Sequence, residues 1–225
     1  MNYRFVRAIL SPLIRVIWPT KIWCKQNALT EQKAVFICNH YSLMDSNALV
    51  AQLFKKKFNA LVKQEAFKEG FASKFLTAAG GIPIKRGEPD ITAVKKIMAV
   101  LDRNEPILIY PEGTRNEKDC KSMLPFKSGP AVFAIKKQAP IIPMIFYRSA
   151  KVFRKNYVLI GKPIYLEQYY NQNVSQIKEE ATQILYEAMV DLRAECDVIV
   201  EKYKGNYKKY MKNKAQGEVI ADNRR

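Results

Sequence analysis

The sequence predicts an α/β domain with a largely parallel central sheet flanked by helices, preceded by an N-terminal amphipathic helical segment. Three observations lead there. Short apolar runs recur without strict polar alternation, as strands covered on both faces do. Helical periods separate those runs, the spacing of βα units. No internal repeat, low-complexity linker or Pro/Gly-rich boundary divides the 225 residues, a length that one large domain fills.

In order along the chain, residues 5–18 (FVRAILSPLIRVIW) are rich in large apolar side chains but broken by Arg7, Pro12 and Arg15. A membrane span needs about 20 mostly apolar residues, so this stretch reads as a segment lying at a lipid interface, or as an ordinary helix packed on the core. Ala34–Cys38 is a compact strand run ending at Asn39-His40. Residues 46–57 read as helix, Asn59–Val62 as strand and 66–78 as helix, closed by Gly80-Gly81 before the strand Ile82–Ile84. Asp90 is a good N-cap for a helix with Ile91, Val94, Ile97, Met98 and Leu101 on one face. Ile107–Tyr110 is a buried-type strand, Gly129 opens a helix to Lys137, and the strands Ile141–Ile145 and Tyr157–Ile160 follow. A long amphipathic helix over roughly 173–204 closes the fold.

The chain carries 38 Lys+Arg against 21 Asp+Glu, a formal charge of +17. Residues 1–33 and 201–225 are each +5 and supply ten of those charges, so an anionic partner is expected. No zinc-finger, basic-zipper or Gly-aromatic RNA-recognition pattern is present, and nucleic acid is not the expected partner. Four scattered cysteines without a CxxC pair exclude a disulfide scaffold and the usual zinc frameworks, and fit a reduced compartment. The chain has one histidine, His40, which removes any chemistry needing two imidazoles. No metal site is expected, for want of ligands.

In open α/β sheets, functional groups gather past the carboxyl ends of strands, and three segments place polar residues there. The first, Asn39-His40-Tyr41-Ser42-Leu43-Met44-Asp45, puts a carboxylate five residues after an imidazole. On a continuous helix these would face about 140° apart; with His40 in the turn they can meet, Asp45 fixing the tautomer and freeing the other nitrogen as a base. Taken alone, the segment reads as a helix cap beside a core histidine. The second is Gly81-Ile82-Pro83-Ile84-Lys85-Arg86-Gly87. The third is Tyr110-Pro111-Glu112-Gly113-Thr114-Arg115-Asn116, followed by Phe126-Lys127-Ser128-Gly129. Strand-end cations beside a glycine suit a phosphate.

Together the blocks NHxxxxD, GGIPIKR, YPEGTRN and APIIP (Ala139 to Pro143) resemble, in order and spacing, the glycerolipid acyltransferase family and its bacterial 1-acylglycerol-3-phosphate members. The resemblance implies transfer of a fatty acyl chain from an acyl-carrier-protein or coenzyme A thioester to the sn-2 hydroxyl of lysophosphatidic acid, with no further cofactor. It implies His40 as general base and Asp45 as the group orienting it. Arg86 and Arg115 would hold the acceptor phosphate, with Lys63 and Lys127 as further candidates. Glu112, Gly113 and Thr114 belong to the same pocket, Glu112 bracing Arg115 or contacting the glycerol, and Pro143 marks the acyl-binding region. Pro83 and Lys85 depart from the family's second block, where an aromatic and an acidic or small residue are common. Other lysolipids or glycerol-3-phosphate remain alternative acceptors, and a non-catalytic basic module is the alternative outside enzymes. The domains expected are a membrane-docking segment (1–30), an acyltransferase domain (31–204) and a basic tail (205–225), docked on the cytoplasmic face of an anionic membrane.

Overall fold

The structure, a computed structural model, describes residues 3–28, 32–42, 45, 59–67, 70–85, 90–116 and 121–216. In chain order its elements are α1 (Tyr3–Ile17), β1 (Thr20–Trp23), β2 (Ala34–Cys38), β3 (Asn59–Lys63), α2 (Phe71–Ala78), β4 (Gly81–Ile84), α3 (Ile91–Asp102), β5 (Pro106–Ile109), α4 (Gly129–Lys137), β6 (Ile141–Phe146), β7 (Asn156–Ile160), α5 (Val174–Glu201) and α6 (Tyr207–Ala215). The helix expected over 46–57 lies outside the described residues.

The seven strands form one sheet in the order β1-β7-β6-β2-β5-β3-β4. Strands β2 to β6 are mutually parallel, β7 returns antiparallel to β6, and β1 lies parallel to β7 at the edge. The parallel core is the one that unbroken apolar runs require. Successive residues of β2 serve opposite faces: Val35 and Ile37 join the core under the helices, whereas Ala34, Phe36 and Cys38 join a second cluster with Leu108, Ile142 and Met144. Asp90 caps α3 as expected, its Oδ1 accepting from Ala93 N at 2.9 Å while Oδ2 accepts from Lys85 N at 2.9 Å.

Two packed elements lie in the spans read as a docking segment and a tail. Strand β1 escapes a pattern search because only four residues, TKIW, pair with β7 and Lys21 interrupts their apolar run. Helix α6 (YKKYMKNKA) is polar over most of its surface, and Tyr210 alone is its buried residue. The two are joined by aromatic packing, with Trp23 stacked between Tyr157 at 5.2 Å and Tyr207 at 6.0 Å. Gly205, at φ +72°, makes the turn into α6; a Cβ there would lie 2.8 Å from the Tyr157 ring, so only glycine fits both the angle and the space.

Candidate active site

The sheet register decides which residues meet at the carboxyl edge. Phe36 pairs with Leu108 and Cys38 with Met144. Continuing the first ladder by four residues and the second by two brings position 40 beside 112 on one side and 146 on the other. The hydrogen bonds follow that register. His40 N donates to Glu112 Oε1 at 3.1 Å. The preceding Asn39 clasps the last residue of β6, its Nδ2 donating to Phe146 O at 2.9 Å and its Oδ1 accepting from Phe146 N at 2.8 Å. Period-two alternation also puts His40 and Tyr110 on one face, and their rings stack at 3.9 Å and 19°.

The structure brings together the two residues five positions apart. His40 Nδ1 lies 3.3 Å from Asp45 Oδ2, with His40 7% and Asp45 0% exposed. The same oxygen accepts from Tyr41 N and Ser42 N, each at 2.7 Å, and Oδ1 accepts from Ser42 Oγ at 3.0 Å. A carboxylate wrapped by backbone donors is held in one position. Its bond to Nδ1 assigns the ring proton there and leaves Nε2 as the basic nitrogen.

The two oxygens of Glu112, expected to brace Arg115 or reach the glycerol, each accept a backbone N–H: His40 N and, at 3.1 Å, Leu124 N. Glu112 thus ties the histidine's own backbone to the loop before α4. Asn116 N adds a bond to His40 O at 2.8 Å, and Lys127 N one to Pro111 O at 2.7 Å. Burial pushes the Glu112 carboxyl above its usual 4.5, the two backbone donors acting in the opposite direction. A raised native value means that its contribution to stability is largest below the ordinary value and is lost as pH rises through the raised one. Glutamine at 112 cannot accept from both N–H groups, because its amide nitrogen is a donor. Glu112→Gln is therefore expected to cost about 1–3 kcal/mol of stability at neutral pH. The margin below wild type should widen as pH falls toward 4.5; urea unfolding of both proteins across that range checks the sign.

The other expected residues that the structure describes lie at the end of β3, in the segments following β4 and β5, and before α4. Gly113 turns the chain at φ +69°, and the Lys127 stem lies over it, 3.4 Å from where a Cβ would stand. Thr114 and Lys127 are exposed and Arg115 is half-buried. Lys63 ends β3, exposed, and Lys85 follows β4 at the far side of the sheet. Arg86 lies outside the described residues. A groove of about 930 Å³ lined by Phe67, Pro83, Lys85, Ile91 and Lys96 opens beside α3. It sits on the helix-covered face, and His40 does not line it.

Three positioning residues escaped sequence reasoning. Tyr110 supplies the ring on which His40 lies, and Asn39 imitates a strand partner. Arg193, near the middle of α5 and 5% exposed, donates from one guanidinium nitrogen to Tyr41 OH at 2.9 Å and to Phe146 O at 3.2 Å. Its Nε bonds Asp197 Oδ2 at 3.1 Å. The one available signal was an arginine on the apolar stripe of an amphipathic helix. Cys38, directly under this network, has no exposed surface, and burial pushes its thiol well above the ordinary range. It is an inert packing residue.

A buried imidazole held by a carboxylate at the carboxyl edge of a parallel sheet is an arrangement suited to general acid–base chemistry. Residues 21–147 match the family model described as Acyltransferase, and the chain belongs to that family. It is similar to the 1-acyl-sn-glycerol-3-phosphate acyltransferase of Bacillus subtilis (strain 168), 24% identical over 168 residues, which span 72% of this chain and 82% of that protein. The enzyme of the same name from Helicobacter pylori (strain J99) is 35% identical over 121 residues, 53% of this chain, which spans half of that relative's length. The crystal structure of the 1-acyl-sn-glycerophosphate acyltransferase PlsC from Thermotoga maritima has the same fold, with a TM-score of 0.61 at 16% identity over 85% of this chain and 78% of that one.

Proposed function

We propose that the protein transfers a fatty acyl chain from an acyl-carrier-protein or coenzyme A thioester to the sn-2 hydroxyl of lysophosphatidic acid, forming phosphatidic acid. The observation that carries this reading is the His40–Asp45 pair, 3.3 Å apart, within the matched span. Nε2 of His40 takes the hydroxyl proton as the oxygen attacks the thioester carbonyl. Asp45 stabilises the imidazolium that forms, and the proton returns to the thiolate as the carbon–sulfur bond breaks. No covalent enzyme intermediate and no cofactor is required. Arg115 holds the acceptor phosphate, with Arg86, Lys63 and Lys127 as further cations; Gly113 and Thr114 let the phosphate approach the chain, and Pro143 belongs to the region that receives the acyl chain.

The protein works from the cytoplasmic face of an anionic membrane, through residues 1–30. Leu13 and Val16 of α1 are 55% and 67% exposed, with Arg15 exposed between them. Among the described residues no helix is long and apolar enough to cross a membrane. The test is phosphatidic acid formation from lysophosphatidic acid in vesicles, run with both donors and with glycerol-3-phosphate and phosphate-free acceptors alongside. Product from neither donor with lysophosphatidic acid would refute the proposed acceptor. Arg115→Ala is expected to raise KM for lysophosphatidic acid roughly 10- to 100-fold, the loss of a charge-assisted contact. Equal damage with a phosphate-free acceptor would remove Arg115 from the phosphate site.

A further inference from the structure

We propose that the turn between β6 and β7 is a second membrane anchor, with Phe153 as the wedge that enters an anionic lipid surface beside the catalytic edge. The inference rests on the membrane-facing reading above and adds a site to it. Strand β6 ends at Phe146, the residue clasped by Asn39 next to His40, so the turn leaves the sheet directly beside the imidazole. At its tip Val152 and Phe153 are 50% and 73% exposed. An apolar pair at the end of a projecting turn gains nothing from water.

The turn is also held in a conformation that the tip residue itself disfavours. Phe153 has φ +53°, a left-handed backbone that is strained for an aromatic side chain and informative where it occurs. The surroundings enforce it. Asn156, 1% exposed, accepts from Lys151 N at 2.9 Å and donates to Lys151 O at 3.1 Å and Arg154 O at 2.9 Å. Phe153 N donates to Ile17 O, the last residue of α1, at 2.7 Å. The tip is therefore fixed to the end of the helix that carries exposed Leu13 and Val16.

Charge selects the occupant. Lys151, Arg154 and Lys155 flank the tip and are exposed, and Arg148 lies over the Tyr147 ring. Neither residues 1–30 nor residues 120–166 contain a single Asp or Glu. Glu201 of α5 reaches the base of the turn, accepting from Tyr147 OH at 3.1 Å. The tip itself carries exposed apolar side chains flanked by three exposed cations, which match an anionic lipid interface, the apolar tip below the headgroups and the cations among them.

The experiment uses the full chain and vesicles of phosphatidylglycerol and phosphatidylethanolamine in equal amounts, with phosphatidylcholine vesicles as the uncharged comparison. Phe153→Asn removes the wedge while suiting the left-handed backbone. It is expected to lower vesicle partition about tenfold while the unfolding midpoint stays level or rises. Phe153→Trp should retain binding, and its emission, read as the difference from wild type with Trp18 and Trp23, should shift to the blue and be quenched by brominated acyl chains. Unchanged partition of Phe153→Asn, or an unquenched tryptophan at 153, overturns the proposal. A variant that floats normally but binds acyl-carrier protein more weakly also overturns it, assigning the tip to an acidic protein. These are binding readouts, so a tip that inserts while acyl transfer fails would refute the proposed reaction and leave the anchor standing.

Discussion

His40→Ala is expected to lower kcat for acyl transfer by about a thousandfold or more, the range general-base catalysis supplies. No other histidine exists in the chain, so no second imidazole can take over. The substitution leaves the site's frame in place, because the bonds that fix this segment belong to the backbone. Asn116 N still reaches the carbonyl of residue 40, residue 40 N still reaches Glu112, and Asp45 retains Tyr41 N and Ser42 N. What is lost is the ring between Asp45 and Tyr110, a cavity costing about 1–3 kcal/mol of stability. The check is single-turnover formation of phosphatidic acid, with vesicle binding and urea unfolding as controls. A variant that binds vesicles, unfolds near the wild-type midpoint and turns over within tenfold of wild type would end the base assignment. Partial recovery on adding free imidazole would separate loss of a proton acceptor from loss of shape.

Which parts of this site could be read beforehand follows from how far apart the partners lie in sequence. His40 and Asp45 were legible because a turn and a carboxylate five residues on are local facts, and a strand as apolar as Ala34–Cys38 announces where that turn begins. The strand-end blocks were legible for the same reason. The role of Glu112 was not: its carboxylate was expected among ligand contacts, yet it holds two backbone N–H groups, one of them 72 residues away. Nothing in YPEGTRN distinguishes a carboxylate aimed at a cation from one aimed at a neighbouring strand. Arg193 reaches Tyr41 across 152 residues, a contact that exists only once α5 lies on β6. Strand β1 and helix α6 were missed for a different reason. Their apolar faces amount to one or two aromatic residues each, too few to impose a period, and they become elements by packing Trp23, Tyr157 and Tyr207 together.

Asp45→Asn is expected to separate orientation from charge at the same position. In wild type Oδ2 accepts from His40 Nδ1, Tyr41 N and Ser42 N, while among the described residues Oδ1 accepts from Ser42 Oγ. An asparagine can put its carbonyl oxygen where Oδ2 stands and its amide where Oδ1 stands, because a serine hydroxyl accepts as readily as it donates. The cradle then survives, and so does the ring proton on Nδ1. The negative charge that stabilises the imidazolium during proton transfer is gone. The expected result is a kcat lowered by about 10²–10⁴-fold, with KM for the acceptor nearly unchanged and stability reduced by about 1 kcal/mol. Asp45→Ala should behave differently. It strands the Tyr41 and Ser42 N–H groups in a pocket where residue 45 has no exposed surface, and the cost should rise to about 2–5 kcal/mol, so its activity loss mixes chemistry with a loosened turn. Comparing the two by kcat, KM and urea midpoint tests the pair directly. If Asp45→Asn keeps wild-type kcat, the carboxylate only shapes the turn, and His40 works without a charged partner.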